Sequence, residues 1–124
     1  MNSSQNPPLI NGSKYYNEKL IKKVLKINPD LRVGNYGWVL GPMYETKAEI
    51  LNMKKHGVNS VGMSTVPEIL MAHHIKMDIL VLSLMSNYAI GLTDDDLNHQ
   101  IVLNNSVKYN QNFQLLLLSI LSEI

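Results

Sequence analysis

The sequence predicts an α/β fold, in which strands and helices alternate along the chain. Two short apolar stretches, residues 36–41 and 59–63, are each followed by a segment whose apolar side chains recur at helical spacing. A third stretch, residues 78–87, is apolar almost throughout, which is typical of a strand covered on both faces. Because a helix separates each strand from the next, we expect parallel strands joined by right-handed crossovers.

An irregular segment precedes the domain in this prediction. Residues 1–13 are rich in Asn, Ser, Pro and Gly, a composition typical of loops. Residues 14–27 carry apolar side chains at helical spacing with lysines on the opposite face, which predicts a helix. Pro29 ends it, because the residue before a proline is biased away from helical geometry. The domain is predicted to cover residues 14–124.

The helices that follow the first two strands are predicted over residues 46–57 and 66–75. A threonine stands at the first position of one helix and just before the other, and a glutamate follows each threonine by three positions. This is the pattern of a capping box, in which the hydroxyl and the carboxylate bind backbone amides. The two pairs are Thr46 with Glu49 and Thr65 with Glu68. A last helix is predicted from about Asn98 to near the C-terminus.

Composition excludes several classes of function. Ten lysines and Arg32 oppose ten acidic residues, and this net charge of +1 gives no electrostatic basis for binding nucleic acid or an anionic membrane. The chain has no cysteine, which excludes disulfides and thiolate metal sites. His73 and His74 are adjacent and face different sides of a helix, so we predict no metal site. The sequence shows no signal peptide and no apolar run of membrane-spanning length, so a cytoplasmic location is predicted.

Polar side chains follow each predicted strand. The first strand runs into Tyr44 and Glu45, the second into Ser64, and the third into Ser86 and Asn87. In open parallel sheets, ligands bind beyond the carboxyl ends of the strands. We therefore expect these residues to line one pocket.

A structural role is open for some of these side chains. Glu45 is also suited to the positive end of a helix dipole. Ser64 precedes a helix, where free amides attract anions and Gly62 lets a ligand approach the backbone, but a structural hydroxyl fits the spacing equally well. His99, near the start of the last helix, suits either a ligand or solvent. Asn87 favours a functional role, because an amide that ends an apolar strand needs a partner.

The segments after the strands resemble those of a known enzyme family, the trimeric purine nucleoside phosphorylases. Four motifs carry this resemblance, in this order and spacing: GPMYETKAE (41–49), VGMSTVPE (61–68), SLMSN (83–87) and NH (98–99). The similarity is clear from about Tyr16 onward. It implies a three-layer α/β fold of the nucleoside phosphorylase type, here a partial sheet with flanking helices. Residues 14–124 would then be the C-terminal half of such a domain.

The resemblance also implies an activity and a set of roles. Those enzymes use phosphate to cleave the N-glycosidic bond of purine nucleosides, giving the free base and pentose 1-phosphate. The implied substrates are 6-oxopurine (deoxy)ribonucleosides, with inorganic phosphate as co-substrate and no cofactor. Asn87 would bind purine N7, Glu45 would accept from N1–H, and His99 would reach the 5′-hydroxyl. The base and ribose would contact Tyr36, Tyr44, Val61, Gly62, Met63 and Ser86, and phosphate would contact Ser64.

The chain also departs from the family pattern. The glycine-rich phosphate loop and the segment with the family's phosphate-binding Arg and His are not found in this sequence, and Arg32 precedes the first strand, at the wrong end for the pocket. The implied partners are further copies in a homotrimer, or a complementing N-terminal half.

Two alternatives to an enzyme remain open. One is a non-catalytic remnant that binds purine weakly or interacts with a full-length relative. The other, a generic α/β nucleotide-binding module, is disfavoured because no Gly-rich phosphate motif precedes a helix.

Overall fold

A computed structural model describes residues 15–92 and 99–124. In chain order, its helices and strands are α1 (Glu18–Ile27), β1 (Tyr36–Trp38), α2 (Lys47–Lys55), β2 (Ser60–Gly62), α3 (Val66–His74) and α4 (His99–Leu121). β1 and β2 pair in parallel, with Gly37 opposite Val61. The alternation of strand and helix and the parallel pairing confirm the predicted α/β class. The irregular segment predicted over residues 1–13 lies outside the described residues.

Asn17 fixes the start of α1. Its side-chain oxygen accepts hydrogen bonds from two amides of the first turn, at 2.8 and 3.3 Å, which is the role of an N-cap. The helix therefore begins at Glu18, later than the predicted residue 14, and ends at Ile27 as predicted. The backbone N–H of Asn17 also donates to the carbonyl of Ile79 at 2.9 Å, which joins α1 to the segment after α3.

β1 ends earlier than the predicted stretch 36–41. Val39 still donates its N–H to the carbonyl of Gly62 at 3.1 Å. Gly41 then adopts a positive φ of 71°, a left-handed conformation that glycine reaches without steric cost. The chain turns out of the sheet here, and the turn carries Tyr44 and Glu45 beyond the strand end.

Residues 78–87 do not form the third strand that the sequence predicts, so this prediction is wrong. Within the described part of the chain, the only sheet is the two-stranded β1–β2 pair. The apolar pattern of 78–87 is real, but a strand also needs a neighbour to complete its ladder of hydrogen bonds. Ile79 is buried, whereas Met85 is 56% exposed, so the segment is not covered on both faces.

The core of the described residues is small. It takes one aliphatic side chain from each helix and one from the segment after α3: Val24, Ile50, Ile69, Ile79 and Ile120. Many other large apolar side chains lie at the surface, and Leu40 is 81% exposed. This arrangement leaves the sheet and the flanking helices with incompletely covered apolar faces.

α4 is the longest helix, with 23 residues. It packs against α1, and Lys23 of α1 donates to the carbonyl of Glu123 just beyond α4, at 2.5 Å. The predicted last helix is thus confirmed. No helix in residues 15–92 or 99–124 combines the length and the apolar character needed to cross a bilayer.

The capping box predicted at the start of α2 is confirmed. Thr46 Oγ1 accepts from the backbone N–H of Glu49 at 3.3 Å, and the backbone N–H of Thr46 donates to Glu49 Oε2 at 2.7 Å. Hydrogen bonds from the backbone N–H of Thr46 and, to a smaller extent, from its hydroxyl stabilise the ionised carboxylate. They lower the pKa of Glu49 from its ordinary value.

The equivalent box predicted for α3 is wrong. Thr65 occupies the N-cap position, but its side chain makes no capping hydrogen bond. Its φ is +80°, and a β-branched residue rarely adopts this left-handed conformation. The hydroxyl instead lies 3.1 Å from Ser64 Oγ. Identical spacing therefore gives a capping box at α2 and a strained turn at α3.

Replacing Glu49 by Gln is expected to remove a pH-dependent part of the stability. Folding lowers the pKa of Glu49 below its ordinary value of 4.5. The ionised carboxylate therefore stabilises the folded protein above that pH, and this contribution is lost as pH falls through the folded-state pKa. Urea unfolding from about pH 7 to about pH 3 should show a steeper acid loss in the wild type than in Glu49→Gln.

Glu68→Gln is the matched control for this experiment. Glu68 occupies the same position in α3, where no capping box forms, so the substitution should leave the acid loss unchanged. Equal acid losses in the wild type and in Glu49→Gln would contradict the capping role of Glu49.

Candidate active site

The side chain of Tyr36, the first residue of β1, reaches the turn that follows β2. Its hydroxyl donates to the carbonyl of Ser64 at 3.2 Å. A Cβ on Gly62 would collide with this hydroxyl, so a larger residue here would require the Tyr36 side chain to move. Val61 precedes Gly62 in β2, lies opposite Gly37 and is half-buried. The Tyr36 side chain thus lies beside the end of β2, where three further predicted site residues follow one another closely: Val61, Gly62 and Ser64.

The turn from β2 into α3 presents two hydroxyls beside a helix N-terminus. The carbonyl of Ser64 accepts from the N–H of Val66 at 3.0 Å as well as from Tyr36, so its position is fixed on two sides. The side chain of Ser64 is exposed and its Oγ lies 3.1 Å from Thr65 Oγ1. Backbone strain of the kind seen at Thr65 persists only where surrounding contacts hold it, and it is concentrated at functional sites.

Glu45 and Tyr44 lie on a shallow hollow after β1. Residues 39–45 and Glu49 line it. Glu45 is half-buried, whereas Tyr44 exposes 38% of its surface. Met63, from the turn after β2, packs its sulfur beside Gly41 in this loop, so the hollow adjoins the β2–α3 turn. The hollow thus presents an aromatic ring and a carboxylate, and Met63 links it to the β2–α3 turn.

Ser86 and Asn87 form a local hydrogen-bonded unit. Ser86 Oγ donates to Asn87 Oδ1 at 2.6 Å, and Asn87 Nδ2 donates to the carbonyl of Tyr88 at 2.9 Å. These two bonds fix which end of the amide is the donor. Nδ2 carries two hydrogens, so one remains for a further acceptor. The unit can therefore present an oriented N–H to a ligand.

The predicted site residues fall into three groups in the structure. The Tyr36–Ser64 group and the Glu45 hollow adjoin through Met63, whereas Ser86 and Asn87 bond to their own neighbours. Among the described residues, no hydrogen bond links the side chains of Glu45, Ser64 and Asn87. His99 is the first residue of α4, and its side chain lies outside the described part of the structure.

Metal-ligating side chains do not cluster in the described part of the chain. No group of three or more His, Asp or Glu side chains within residues 15–92 and 99–124 could hold a metal ion. The polar groups of the predicted site residues whose side chains are described are hydroxyls, an amide and a carboxylate.

Residues 3–122 match the sequence profile of the phosphorylase superfamily, almost the full length of the chain. The chain belongs to the phosphorylase superfamily. Among curated relatives, purine nucleoside phosphorylase 1 of Bacillus subtilis is 37% identical over 115 residues, which are 90% of this chain and 42% of that protein. Purine nucleoside phosphorylase of Mycobacterium tuberculosis is 35% identical over 108 residues, or 83% of this chain and 40% of its own length.

Solved structures of purine nucleoside phosphorylases share the fold. Isoform 2 of the Schistosoma mansoni enzyme, in complex with cytosine and ribose-1-phosphate, matches with a TM-score of 0.84 and 32% identity over 92% of this chain and 43% of its own. A Schistosoma purine nucleoside phosphorylase in complex with hypoxanthine matches with a TM-score of 0.81 and 29% identity. The match covers 90% of this chain and 43% of that protein. The present fold is thus a partial α/β nucleoside phosphorylase fold, and the chain spans about two fifths of the relatives' length.

Asn105 contacts the predicted site residue Ser86, and the sequence analysis did not single it out. It lies on α4, and its Nδ2 donates to the carbonyl of Ser86 at 2.7 Å, which ties the end of segment 78–87 to the helix. Asn105 and Ser106 are half-buried polar residues of α4. Their exposure is known only from the structure, so the sequence offered no specific signal for the contact with Ser86.

Replacing Gly62 by Ala is expected to lower the free energy of unfolding by about 1–3 kcal/mol, because the new Cβ meets the Tyr36 hydroxyl. The double variant Gly62→Ala/Tyr36→Phe should recover most of this loss, since removing the hydroxyl removes the nearest atom. Urea denaturation of wild type, both single variants and the double variant gives the coupling energy. Strictly additive effects would contradict the close packing of Gly62 against Tyr36.

Proposed function

We propose that this chain supplies the purine and ribose part of a purine nucleoside phosphorylase active site. The reaction is phosphate-dependent cleavage of the N-glycosidic bond of 6-oxopurine (deoxy)ribonucleosides, giving the free base and pentose 1-phosphate. In this proposal residues 14–124 form the C-terminal half of the catalytic domain. The observation that carries it is the similarity to purine nucleoside phosphorylases over nine tenths of the chain.

The base-binding roles follow from the chemistry of a 6-oxopurine. Glu45 accepts a hydrogen bond from N1–H, and Tyr44 stacks beside the ring. Asn87 donates its second Nδ2 hydrogen to N7, where negative charge develops as the glycosidic bond breaks. A donor held in place before the reaction stabilises that charge without reorganisation. The bonds of Asn87 to Ser86 and Tyr88 supply this preorganisation.

The ribose and phosphate roles belong to the β2–α3 turn. Met63 and Tyr36 pack on the sugar, Val61 and Gly62 line the pocket, and His99 reaches the 5′-hydroxyl. Phosphate acts as nucleophile and also stabilises the cationic ribose, so it must be held in line with the breaking bond. The exposed hydroxyl of Ser64 beside the α3 N-terminus is suited to this anion. No cofactor is needed.

The ligands, assembly and location of the enzyme complete the proposed function. Structures of Schistosoma purine nucleoside phosphorylase contain hypoxanthine, inosine or guanosine, which supports purine nucleosides as ligands of this chain. We further propose assembly as a homotrimer or with a complementing N-terminal half, and a cytoplasmic location.

A non-catalytic purine-binding chain is the second candidate. It is favoured by one observation, that the chain spans only about two fifths of its relatives' length. Such a chain binds purine weakly or interacts with a full-length relative, without phosphorolysis.

Hypoxanthine release from inosine distinguishes the two candidates. The chain is assayed alone and together with a polypeptide made of the part of the Bacillus subtilis enzyme outside the 115 matched residues; this combination is called the assembled enzyme below. We expect release that requires phosphate and both polypeptides. The second polypeptide alone is the control. No release by the chain or by a demonstrated complex would contradict the catalytic proposal and favour the binding role.

A further inference from the structure

The turn that follows Asn87 lies against the first residue of α2. A Cβ on Gly91 would stand only 2.7 Å from Cγ and 2.8 Å from Cδ of Lys47. The aliphatic stem of Lys47 therefore covers the face of Gly91 on which any other residue would carry its side chain. A lysine stem can pack in this way while its ammonium group stays in water. This contact joins two segments that are distant in the sequence.

Gly91 is part of a hydrogen-bonded turn. The backbone N–H of Leu92 donates to the carbonyl of Ala89 at 3.1 Å, which closes the turn over residues 89–92. At the third position of this turn Gly91 has a φ of 77°, a positive value that favours glycine there. Ala89 and Ile90 are half-buried. The turn is therefore a locally defined unit, which is held or displaced as a whole.

The turn adjoins the acceptor that orients Asn87. Asn87 Nδ2 donates to the carbonyl of Tyr88 at 2.9 Å, and Tyr88 directly precedes the turn. On the other side, the carbonyl of Ser86 accepts from Asn105 of α4 at 2.7 Å. A shift of the turn would move the Tyr88 carbonyl, and with it the amide that is proposed to meet N7.

Lys47 is itself held at a fixed place relative to Glu45. It is the first residue of α2 and follows Glu45 by two positions. The capping box of Thr46 and Glu49 fixes the backbone at this helix start. The stem of Lys47 is thus a link from the helix start beside Glu45 to the turn beside Asn87.

We propose that Lys47 is a positioning residue of the purine site. Its stem holds the turn against the start of α2 and so sets the place of Asn87 relative to Glu45. One purine has to meet both side chains at the same time, at N7 and at N1, and a small misplacement of such groups is costly to the rate. This role rests on the proposed function, whereas the packing of the turn on Lys47 does not depend on catalysis.

Hydrogen exchange of the chain by itself tests the packing. The amide of Leu92 closes the turn, so its exchange rate reports how firmly the turn is held. Lys47→Ala removes the stem beyond Cβ without loss of helix propensity, and it should speed the exchange of this amide several-fold. Lys47→Met keeps an unbranched stem and should retain the wild-type rate. Lys55→Ala is the matched control, because Lys55 is an exposed lysine at the other end of α2.

Kinetics of the assembled enzyme test the consequence for the reaction. Lys47→Ala should lower kcat/KM for inosine by up to about 10²-fold, whereas Lys47→Met and Lys55→Ala should stay close to the wild type. Because Lys47 acts through Asn87, Lys47→Ala should cost little further in an Asn87→Ala enzyme. General damage to the structure would instead lower the activity of both backgrounds by the same factor.

Each readout has an outcome that contradicts the proposal. Unchanged exchange of the Leu92 amide in Lys47→Ala would overturn the packing. An unchanged kcat/KM in Lys47→Ala, or equal losses with and without Asn87, would overturn the positioning role. A loss in Lys47→Met as large as that in Lys47→Ala would assign the effect to the ammonium group and so contradict the role of the stem. A wild-type assembled enzyme that releases no hypoxanthine would contradict the catalytic proposal and with it the part of Lys47 in that reaction, while the exchange of Leu92 still decides the packing.

Discussion

Replacing Glu45 by Ala in the assembled enzyme should lower kcat/KM for inosine by up to about 10⁴-fold. A site built to accept a hydrogen bond from N1–H discriminates strongly between substrates that offer this donor and those that do not. Glu45 suits this role because it is half-buried at the end of the hollow after β1, where Tyr44 also lies. Initial-rate measurements over a range of inosine concentrations give the loss.

Comparison of inosine with adenosine distinguishes loss of the N1 contact from a general loss of activity. Adenosine has no N1–H, so Glu45→Ala should affect its cleavage far less than that of inosine. Glu68→Ala is the matched control, because Glu68 is exposed on α3 and forms no capping bond with Thr65. Equal losses for inosine and adenosine would contradict the assignment of Glu45 to the N1 edge.

Replacing Asn87 by Asp should lower kcat/KM for inosine by about 10²–10³-fold, the usual cost of removing one donor aimed at developing charge. An ionised carboxylate has no hydrogen to give to N7, and its charge opposes the negative charge of the departing base. It can accept from the 6-amino group of adenosine, so the preference should move toward 6-aminopurines. The ratio of kcat/KM for the two nucleosides reports this change.

Asn112→Asp is the control for the introduced charge, since Asn112 is an exposed residue of α4. It should change neither the rate nor the preference. An unchanged ratio of inosine to adenosine in Asn87→Asp would contradict the proposed contact with N7.

The sequence predicted the parts of the fold that depend on local pattern. The helices appear where apolar side chains recur at helical spacing, and Thr46 with Glu49 caps α2 as expected. The same pattern failed at α3, where the local sequence did not reveal the conformation of the N-cap residue. Tyr36 and the N–H of Val66 both bind the carbonyl of Ser64, and the adjacent Thr65 adopts a φ at which its hydroxyl does not cap the helix.

Residues 78–87 show a second feature that the local sequence pattern did not predict correctly. Their apolar run is that of a buried strand, but a ladder depends on a neighbour, and the described residues supply none. The candidate site was predictable in its residue types, because hydroxyl, amide and carboxylate side chains follow the apolar stretches. The link from Asn105 to Ser86 was not, since it joins residues 19 positions apart through α4 packing.

A crystal structure of the assembled enzyme with guanosine and phosphate tests the central claim most directly. We expect one nucleoside with Glu45 at N1 and the 2-amino group, Asn87 at N7, and phosphate beside Ser64. The account would be contradicted by a guanosine that contacts Glu45 but leaves Asn87 and Ser64 without ligand, or by one bound elsewhere on the molecule.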